Sequence, residues 1–85
     1  MVTKEMIKDV LFRSIAEALE EDIRVIEDSE RLVEDLCIDS MGFLFLTVSI
    51  EREFSVKITP DEWKDILTFG ELIEFVQAKT MFLEE

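Results

Sequence analysis

The chain reads Asp35-Leu36-Cys37-Ile38-Asp39-Ser40-Met41 and then carries no charged residue until Glu51. We predict that a helix begins at Ser40, where the acidic segment gives way to an apolar one. A serine hydroxyl at a helix start lies at the positive end of the helix dipole, where an anion is stabilised. Ser40 is therefore a candidate site for a phosphate ester. Taken alone, a serine in this place is more commonly an N-cap.

The helix that follows has two apolar stripes, and we predict that it ends near Phe54 or Ser55. One stripe has helical spacing and is expected to face the core; it comprises Phe43, Leu46, Ile50 and Phe54. The other lies on the opposite side and comprises Met41, Leu44, Phe45 and Val48. A surface helix of a small protein needs only one apolar stripe. We therefore predict that the second stripe is a partly exposed docking face.

A first helix and a long acidic loop precede this segment. The first helix is predicted from Thr3, its N-cap, to about Glu20. Its core residues recur at helical spacing and are Ile7, Leu11, Ile15 and Ala18. The loop continues to Asp39, and the stretch from Glu17 to Asp39 holds ten acidic residues. Several apolar residues are expected to pin the loop onto the bundle, among Ile23, Val25, Ile26, Leu32, Val33 and Leu36.

Two capping boxes predict the remaining helices. Thr59 and Glu62 flank Pro60 and open a short helix that ends near Ile66. Thr68–Glu71 forms a second box ahead of the last helix, whose core residues are expected to be Leu72, Ile73, Phe75 and Val76. With 85 residues, only 2 Gly and 1 Pro, the chain is predicted to be all-α, in a single domain spanning residues 1–85. The expected architecture is a small four-helix bundle, with three main helices, one short helix and a long loop between helices one and two.

Charge and composition exclude several classes of function. The net charge is −12 without any histidine, so neither nucleic acid nor an anionic membrane surface is expected as a partner. The lone Cys37 excludes an internal disulfide, and the absence of histidine excludes Ser/His/Asp and Cys/His catalytic sets and the usual zinc sites. The longest uncharged run falls far short of the roughly 20 residues of a membrane helix. We expect a cytoplasmic monomer without metal, catalytic residues or membrane insertion.

The segment around Ser40 resembles the attachment site of acyl carrier proteins. That family has a hydrophobic residue, then Glu-Asp-Leu-Gly, one variable residue and Asp-Ser-Leu or Asp-Ser-Met, and this chain has the corresponding Val33–Met41. The resemblance extends over almost the whole chain, through Leu46, Ile50, Glu51, Phe54 and Ile58. It implies a carrier rather than an enzyme, with 4′-phosphopantetheine attached covalently to Ser40 and Asp39 assisting the modifying enzyme and its metal. The implied partners are a phosphopantetheinyl transferase and the acyl-loading and acyl-accepting enzymes of fatty-acid, lipid or polyketide-type biosynthesis.

Five positions depart from the family pattern. Cys37 replaces a common glycine, which suggests that the backbone there does not require a positive φ. Gly42, Phe45 and Arg52 stand where acidic residues are common, so a specialised carrier is expected rather than a housekeeping one. Trp63 stands where a small residue is common and is expected to narrow or roof an acyl pocket. Two alternatives remain open: a D-alanyl or aminoacyl-type carrier, which residues 39–42 also resemble, and an unmodified helical interaction module.

Overall fold

Four helices make up the fold of the described part of the chain. A computed structural model describes residues 3–20 and 25–81, and its helices are α1 (Lys4–Leu19), α2 (Ser40–Phe54), α3 (Pro60–Trp63) and α4 (Phe69–Met81). Among these residues the only β-type pairing is an isolated bridge between Arg31 and Thr68. The predicted all-α bundle of three main helices and one short helix is confirmed. The long loop between α1 and α2 is also as predicted.

The helix starts follow the capping patterns of the sequence. Thr3 caps α1, with its Oγ1 accepting the Met6 N–H at 3.2 Å. Thr59 and Glu62 form the complete capping box of α3, with Pro60 as its first residue. The second predicted box is also present at α4. α3 ends at Trp63 rather than near Ile66, because the next amides bond three residues back, from Asp65 to Glu62 and from Ile66 to Trp63, and so tighten the chain into turns.

The core lies where α1 packs against α2 and α4. Of the predicted core stripe of α2, Leu46 and Ile50 are fully buried, while Phe43 and Phe54 are half-buried and pack against the core. The residues fully removed from solvent are Ile7, Leu11, Ile15, Leu32, Leu46, Ile50, Phe69, Leu72 and Val76. This burial is what holds α2 in place, since its opposite side faces solvent.

The acidic loop is attached to the start of α4 by backbone hydrogen bonds. The Leu32 N–H donates to Leu67 O, and the Phe69 N–H donates to Glu30 O, each at 2.9 Å. The predicted apolar anchors Ile26, Leu32 and Leu36 are buried, whereas Val25 and Val33 are exposed. Ile23, and the tail residues Phe82 and Leu83, lie outside the described residues. The loop is therefore fixed just before it reaches Ser40.

Cys37 corrects one expectation from the sequence, because its φ is 59°. The helical turn before it ends in a left-handed residue, with the Cys37 N–H donating to Val33 O at 3.1 Å and the Ile38 N–H returning to Leu32 O at 3.0 Å. A turn that ends in this way requires a positive φ. The suggestion that the backbone at Cys37 does not need one is wrong. A non-glycine residue in this conformation costs roughly 1–2 kcal/mol.

Candidate functional site

Asp39, rather than Ser40, caps α2. Asp39 has extended backbone angles, and its Oδ1 accepts the Gly42 N–H at 2.9 Å. Ser40 is therefore the first residue of the helix, and the alternative that Ser40 is a plain N-cap is wrong. Because a neighbouring carboxylate already satisfies the helix terminus, the exposed Ser40 hydroxyl is not required for capping.

The start of α2 is suited to an attached phosphate. No acidic residue lies in the first turn of α2, although Asp39 immediately precedes it. A phosphate on Ser40 would sit at the positive end of a 15-residue helix, beside backbone N–H groups that the helix itself leaves unpaired. The exposed Ser40 side chain is also within reach of a modifying enzyme. These residues fit a phosphodiester-linked group.

Gly42 fixes the position of this helix start against the loop. The residue is buried, and a Cβ added to it would lie 2.8 Å from Ile38 Cγ2. The close approach leaves no room for a side chain at this position unless Ile38 moves. Ile38 is itself buried. Ser40 therefore projects from a well-packed backbone.

An apolar groove runs from Ser40 between α2 and α3, with a volume of about 570 Å³. Its floor is formed by the buried Ile58 and Ile66. Its rim carries three exposed apolar side chains, those of Val33, Leu44 and Leu67. The size lies within the ~300–1,000 Å³ typical of sites for small molecules. A flexible group attached to Ser40 would therefore begin at the mouth of an apolar groove.

Trp63 forms one wall of this groove and is held by α2. The Trp63 Nε1–H donates to Thr47 Oγ1 at 2.8 Å, and the Thr47 hydroxyl donates to Phe43 O at 2.8 Å. The Phe43 and Trp63 rings meet edge to face with centroids 5.0 Å apart. The expectation that Trp63 borders the pocket agrees with this geometry.

A second set of contacts holds α3 against α4. The Lys79 ammonium lies 2.8 Å from Glu62 Oε2 and also donates to Lys57 O at 3.0 Å. Lys79 and the Thr59 N–H together hold the pKa of Glu62 below its ordinary value. Because α3 has only four residues, its position depends on these contacts and on Trp63. The wall of the groove is therefore anchored on both sides.

The predicted docking residues are exposed, but they do not form one surface. The exposed fractions are 72% for Met41, 58% for Leu44, 37% for Phe45 and 45% for Val48. Leu44 belongs to the rim of the α2–α3 groove. Phe45 and Val48 line a separate groove of about 260 Å³ between α1 and α2, which also contains Arg13 and Arg52. The stripe thus divides into two sides, and its docking role remains a prediction.

Sequence reasoning missed Thr47 and the rim residues of the groove. Thr47 is a polar residue one helical turn after Phe43 in a mainly apolar segment, and this position was the available signal. Val33 was expected to pin the loop, but it stands on the rim instead. Nothing in the sequence marked Leu67 as a rim residue, because its exposure depends on where α3 ends.

Two acidic residues near Ser40, Glu34 and Asp35, bind Arg31 within the loop. The Arg31 backbone N–H donates to Asp35 Oδ2 at 2.8 Å, and the Arg31 side chain adds further contacts. These bonds hold the pKa of Asp35 below its ordinary value. Within residues 3–20 and 25–81, no cluster of three acidic or sulfur side chains is placed to hold a metal ion. No helix among the same residues is long and apolar enough to cross a membrane.

Comparisons with known proteins point to the same kind of site. Residues 9–76 match the family described as "Phosphopantetheine attachment site". The chain is 30% identical over 79 residues to the acyl carrier proteins of Rickettsia canadensis and Rickettsia prowazekii, an alignment that covers 93% of this chain and 92% of each relative. A solved structure of an acyl carrier protein from Mycobacterium tuberculosis superposes with a TM-score of 0.76 at 28% identity. That superposition covers 85% of this chain and 96% of the other.

The family match spans α2 with Ser40 and extends from α1 into α4. Phosphopantetheinyl transferases and acyl-processing enzymes are the partners of this family, and its members carry cargo without catalysing reactions. The helical fold, the serine at the start of α2 and the sequence similarity thus point to the same family. The chain belongs to the acyl carrier protein family, whose prosthetic group is 4′-phosphopantetheine borne on a serine.

Proposed function

We propose that Ser40 bears the 4′-phosphopantetheine and that the chain carries an acyl group as a thioester on that arm. It would deliver the acyl group to enzymes of fatty-acid, lipid or polyketide-type biosynthesis. The observation that carries this proposal is the exposed Ser40 at the start of α2, at the mouth of an apolar groove. The groove matches the chemistry of an acyl cargo.

Modification of Ser40 is a phosphoryl transfer. The Ser40 Oγ forms a bond to the phosphorus that bears pantetheine in coenzyme A, and adenosine 3′,5′-bisphosphate leaves with the electrons of the broken P–O bond. The serine proton passes to a base of the transferase. Asp39 Oδ1 accepts the Gly42 N–H, so Oδ2 is the oxygen available to the transferase and its metal. The attached arm supplies the thiol that holds the acyl group.

The exposed apolar residues of α2, which divide between its two grooves, favour a specialised carrier. Met41, Leu44, Phe45 and Val48 present apolar side chains on α2 after Ser40, and Arg52 adds a cation near its end. A partner that binds this surface should present an apolar patch, with fewer basic residues than the partners of housekeeping carriers. We further propose that residues 1–85 act as a single carrier domain, as a monomer and in the cytoplasm.

The composition of the groove favours an acyl cargo over an aminoacyl one. The floor residues Ile58 and Ile66 and the rim residues Leu44 and Leu67 offer no partner to a charged amine. A D-alanyl cargo would therefore gain nothing from the groove, whereas each sheltered methylene gains about 0.8 kcal/mol. An unmodified interaction module would leave the exposed serine at the groove mouth without a role.

The site assignment is tested by modification in vitro. The purified chain is incubated with a broad-specificity phosphopantetheinyl transferase and coenzyme A, and its intact mass is measured. We expect one added phosphopantetheine on the wild type and on Ser29→Ala, which removes another exposed serine, but none on Ser40→Ala. Circular dichroism checks that Ser40→Ala keeps its helices. Modification of the Ser40→Ala variant, or none of the wild type, would refute the proposal.

A further inference from the structure

The α2–α3 groove meets the bundle core at Ile58 and Ile66, which line the groove and belong to the buried cluster. Its floor and walls include Ile58, Ile66, Phe43 and Trp63, and none of its residues is among those fully buried in the bundle. Phe43 and Trp63 are half-buried and pack against the core from outside. Their rings meet edge to face and both line the groove, whereas the fully buried Leu46 and Ile50 of α2 do not line it.

We propose, given an acyl arm on Ser40, that Trp63 is the residue that limits the length of acyl chain the carrier shelters. The indole, which forms one wall of the groove, would bar the acyl chain from the space behind it, and its hydrogen bond to Thr47 would hold it there. Short and medium chains would then lie in the groove, while the far end of a long chain would remain in solvent. The inference depends on the proposed function and concerns the cargo range of the same site.

Three contacts fix the indole in this position. The Trp63 Nε1–H donates to Thr47 Oγ1 at 2.8 Å, which ties the ring to α2. The Phe43 ring packs against it from one turn earlier on the same helix. On the other side of α3, the ion pair between Glu62 and Lys79 joins the short helix to α4. An acyl chain that entered more deeply would have to displace Trp63 and break its hydrogen bond to Thr47.

The chain offers matched variants for the test. Trp63→Ala removes the wall, while Trp63→Phe keeps an aromatic ring but removes the N–H donor and part of the volume. Thr47→Val keeps the shape of the side chain and removes the acceptor of the Trp63 hydrogen bond. Because Trp63 is the single tryptophan of the chain, its fluorescence reports only on this groove.

The experiment loads each protein with acetyl-, octanoyl- or hexadecanoyl-phosphopantetheine from the corresponding acyl-coenzyme A. Intact mass confirms loading, and the rate of thioester cleavage by hydroxylamine measures how well each chain is sheltered. For the wild type, we expect slower cleavage of the octanoyl than of the acetyl form, a change in Trp63 emission on octanoyl loading, and no further protection of the hexadecanoyl form. In Trp63→Ala the hexadecanoyl form should be cleaved about tenfold more slowly than in the wild type, as sheltering two further methylenes would give.

Thr47→Val and Trp63→Phe should shift the protection in the same direction by a smaller factor. These two variants decide the question if Trp63→Ala does not fold. Identical protection profiles in every folded variant, or tryptophan emission that is the same for all chain lengths, would overturn the inference while leaving the carrier function intact. Failure of the wild type to accept any phosphopantetheine on Ser40 would overturn both.

Discussion

Cys37 adopts a φ of 59° although it is not a glycine. Its side chain is exposed, so replacing it sacrifices no buried contact. We expect Cys37→Gly to raise the free energy of unfolding by about 0.5–1 kcal/mol, because relief of the left-handed strain exceeds the extra entropy of glycine in the unfolded chain. Urea denaturation measures the change.

Cys37→Ala is the matched control for this prediction. Alanine also removes the thiol but keeps a Cβ, so it should leave the strain in place and give no gain in stability. A Cys37→Gly protein no more stable than Cys37→Ala would show that the turn stores no appreciable strain.

Single residues show which details the sequence carries. Thr59 with Glu62, and Thr68 with Glu71, were readable as capping boxes because the pattern is local. The role of Asp39 as cap was not, since Asp39 and Ser40 are both good caps and only the backbone angles decide between them. The tight contact between Gly42 and Ile38 joins loop to helix, and no local pattern reveals such a contact.

At the scale of elements, α2 has one buried side and two solvent-facing grooves. The spacing of apolar residues predicted where α2 begins and ends and which of its sides is buried. Both features depend only on residues that lie within about one turn of each other. Periodicity could not predict that Leu44 borders α3 while Phe45 borders α1, because that division depends on where the neighbouring helices lie. The shape of the groove beside α3 also depends on where α3 ends. The sequence predicted that end near Ile66, three residues after the observed end at Trp63.

Phe45→Glu tests whether the exposed side of α2 docks partners. Its exposure should keep the loss of stability within about 1 kcal/mol, since the groove around it holds Arg13 and Arg52 as well as Glu17 and Glu53. The new carboxylate should nevertheless raise the KM of the cognate acyl-loading enzyme for the carrier, since an apolar contact is lost. Initial rates against carrier concentration provide the measurement.

Ala78→Glu adds the same charge at an exposed position on α4 and serves as the control. Its KM should remain close to that of the wild type. A Phe45→Glu protein that loses several kcal/mol of stability, yet docks normally when folded, would place Phe45 in the core instead.

The capping box of α4 makes a pH-dependent contribution to stability. Glu71 Oε1 accepts the N–H groups of Leu67 and Thr68 at 2.9 and 3.0 Å, and these bonds hold the pKa of Glu71 below its ordinary 4.5. A lowered folded-state pKa means that the carboxylate stabilises the fold above pH 4.5 and that this stabilisation is lost as the pH falls through the folded-state value.

Glu71→Gln keeps an acceptor oxygen but cannot titrate. We expect the wild type to be more stable than Glu71→Gln near neutral pH, and the difference to shrink as the pH falls below 4.5. Urea titrations in high salt measure it while screening the other charges. A difference that stays constant across this range would mean that the charge of Glu71 does not strengthen the cap.

At the scale of the whole molecule, the net charge of −12 opposes compaction. We expect the Tm to rise as salt increases from ~0.01 M to ~1 M, because the screening length falls from ~30 Å to ~3 Å. Millimolar magnesium should act in the same direction, by screening the acidic residues or binding them weakly. Thermal denaturation followed by circular dichroism provides the measurement.

Replacing Glu21 and Asp22 by their amides removes two negative charges. The Tm of this variant should therefore depend less on salt than the Tm of the wild type. A Tm that does not change across both titrations would show that the charges are too dispersed to affect stability.

The acyl carrier function is tested most directly by the intact mass of the chain recovered from cells that also produce a phosphopantetheinyl transferase. We predict the mass of one phosphopantetheine plus an acyl group, with fragmentation placing the modification on Ser40. Hydroxylamine should remove the acyl group and leave the phosphopantetheine, because only the thioester is labile. An unmodified chain, a modification on another residue, or an acyl group that resists hydroxylamine would contradict the claim that Ser40 carries an acyl thioester.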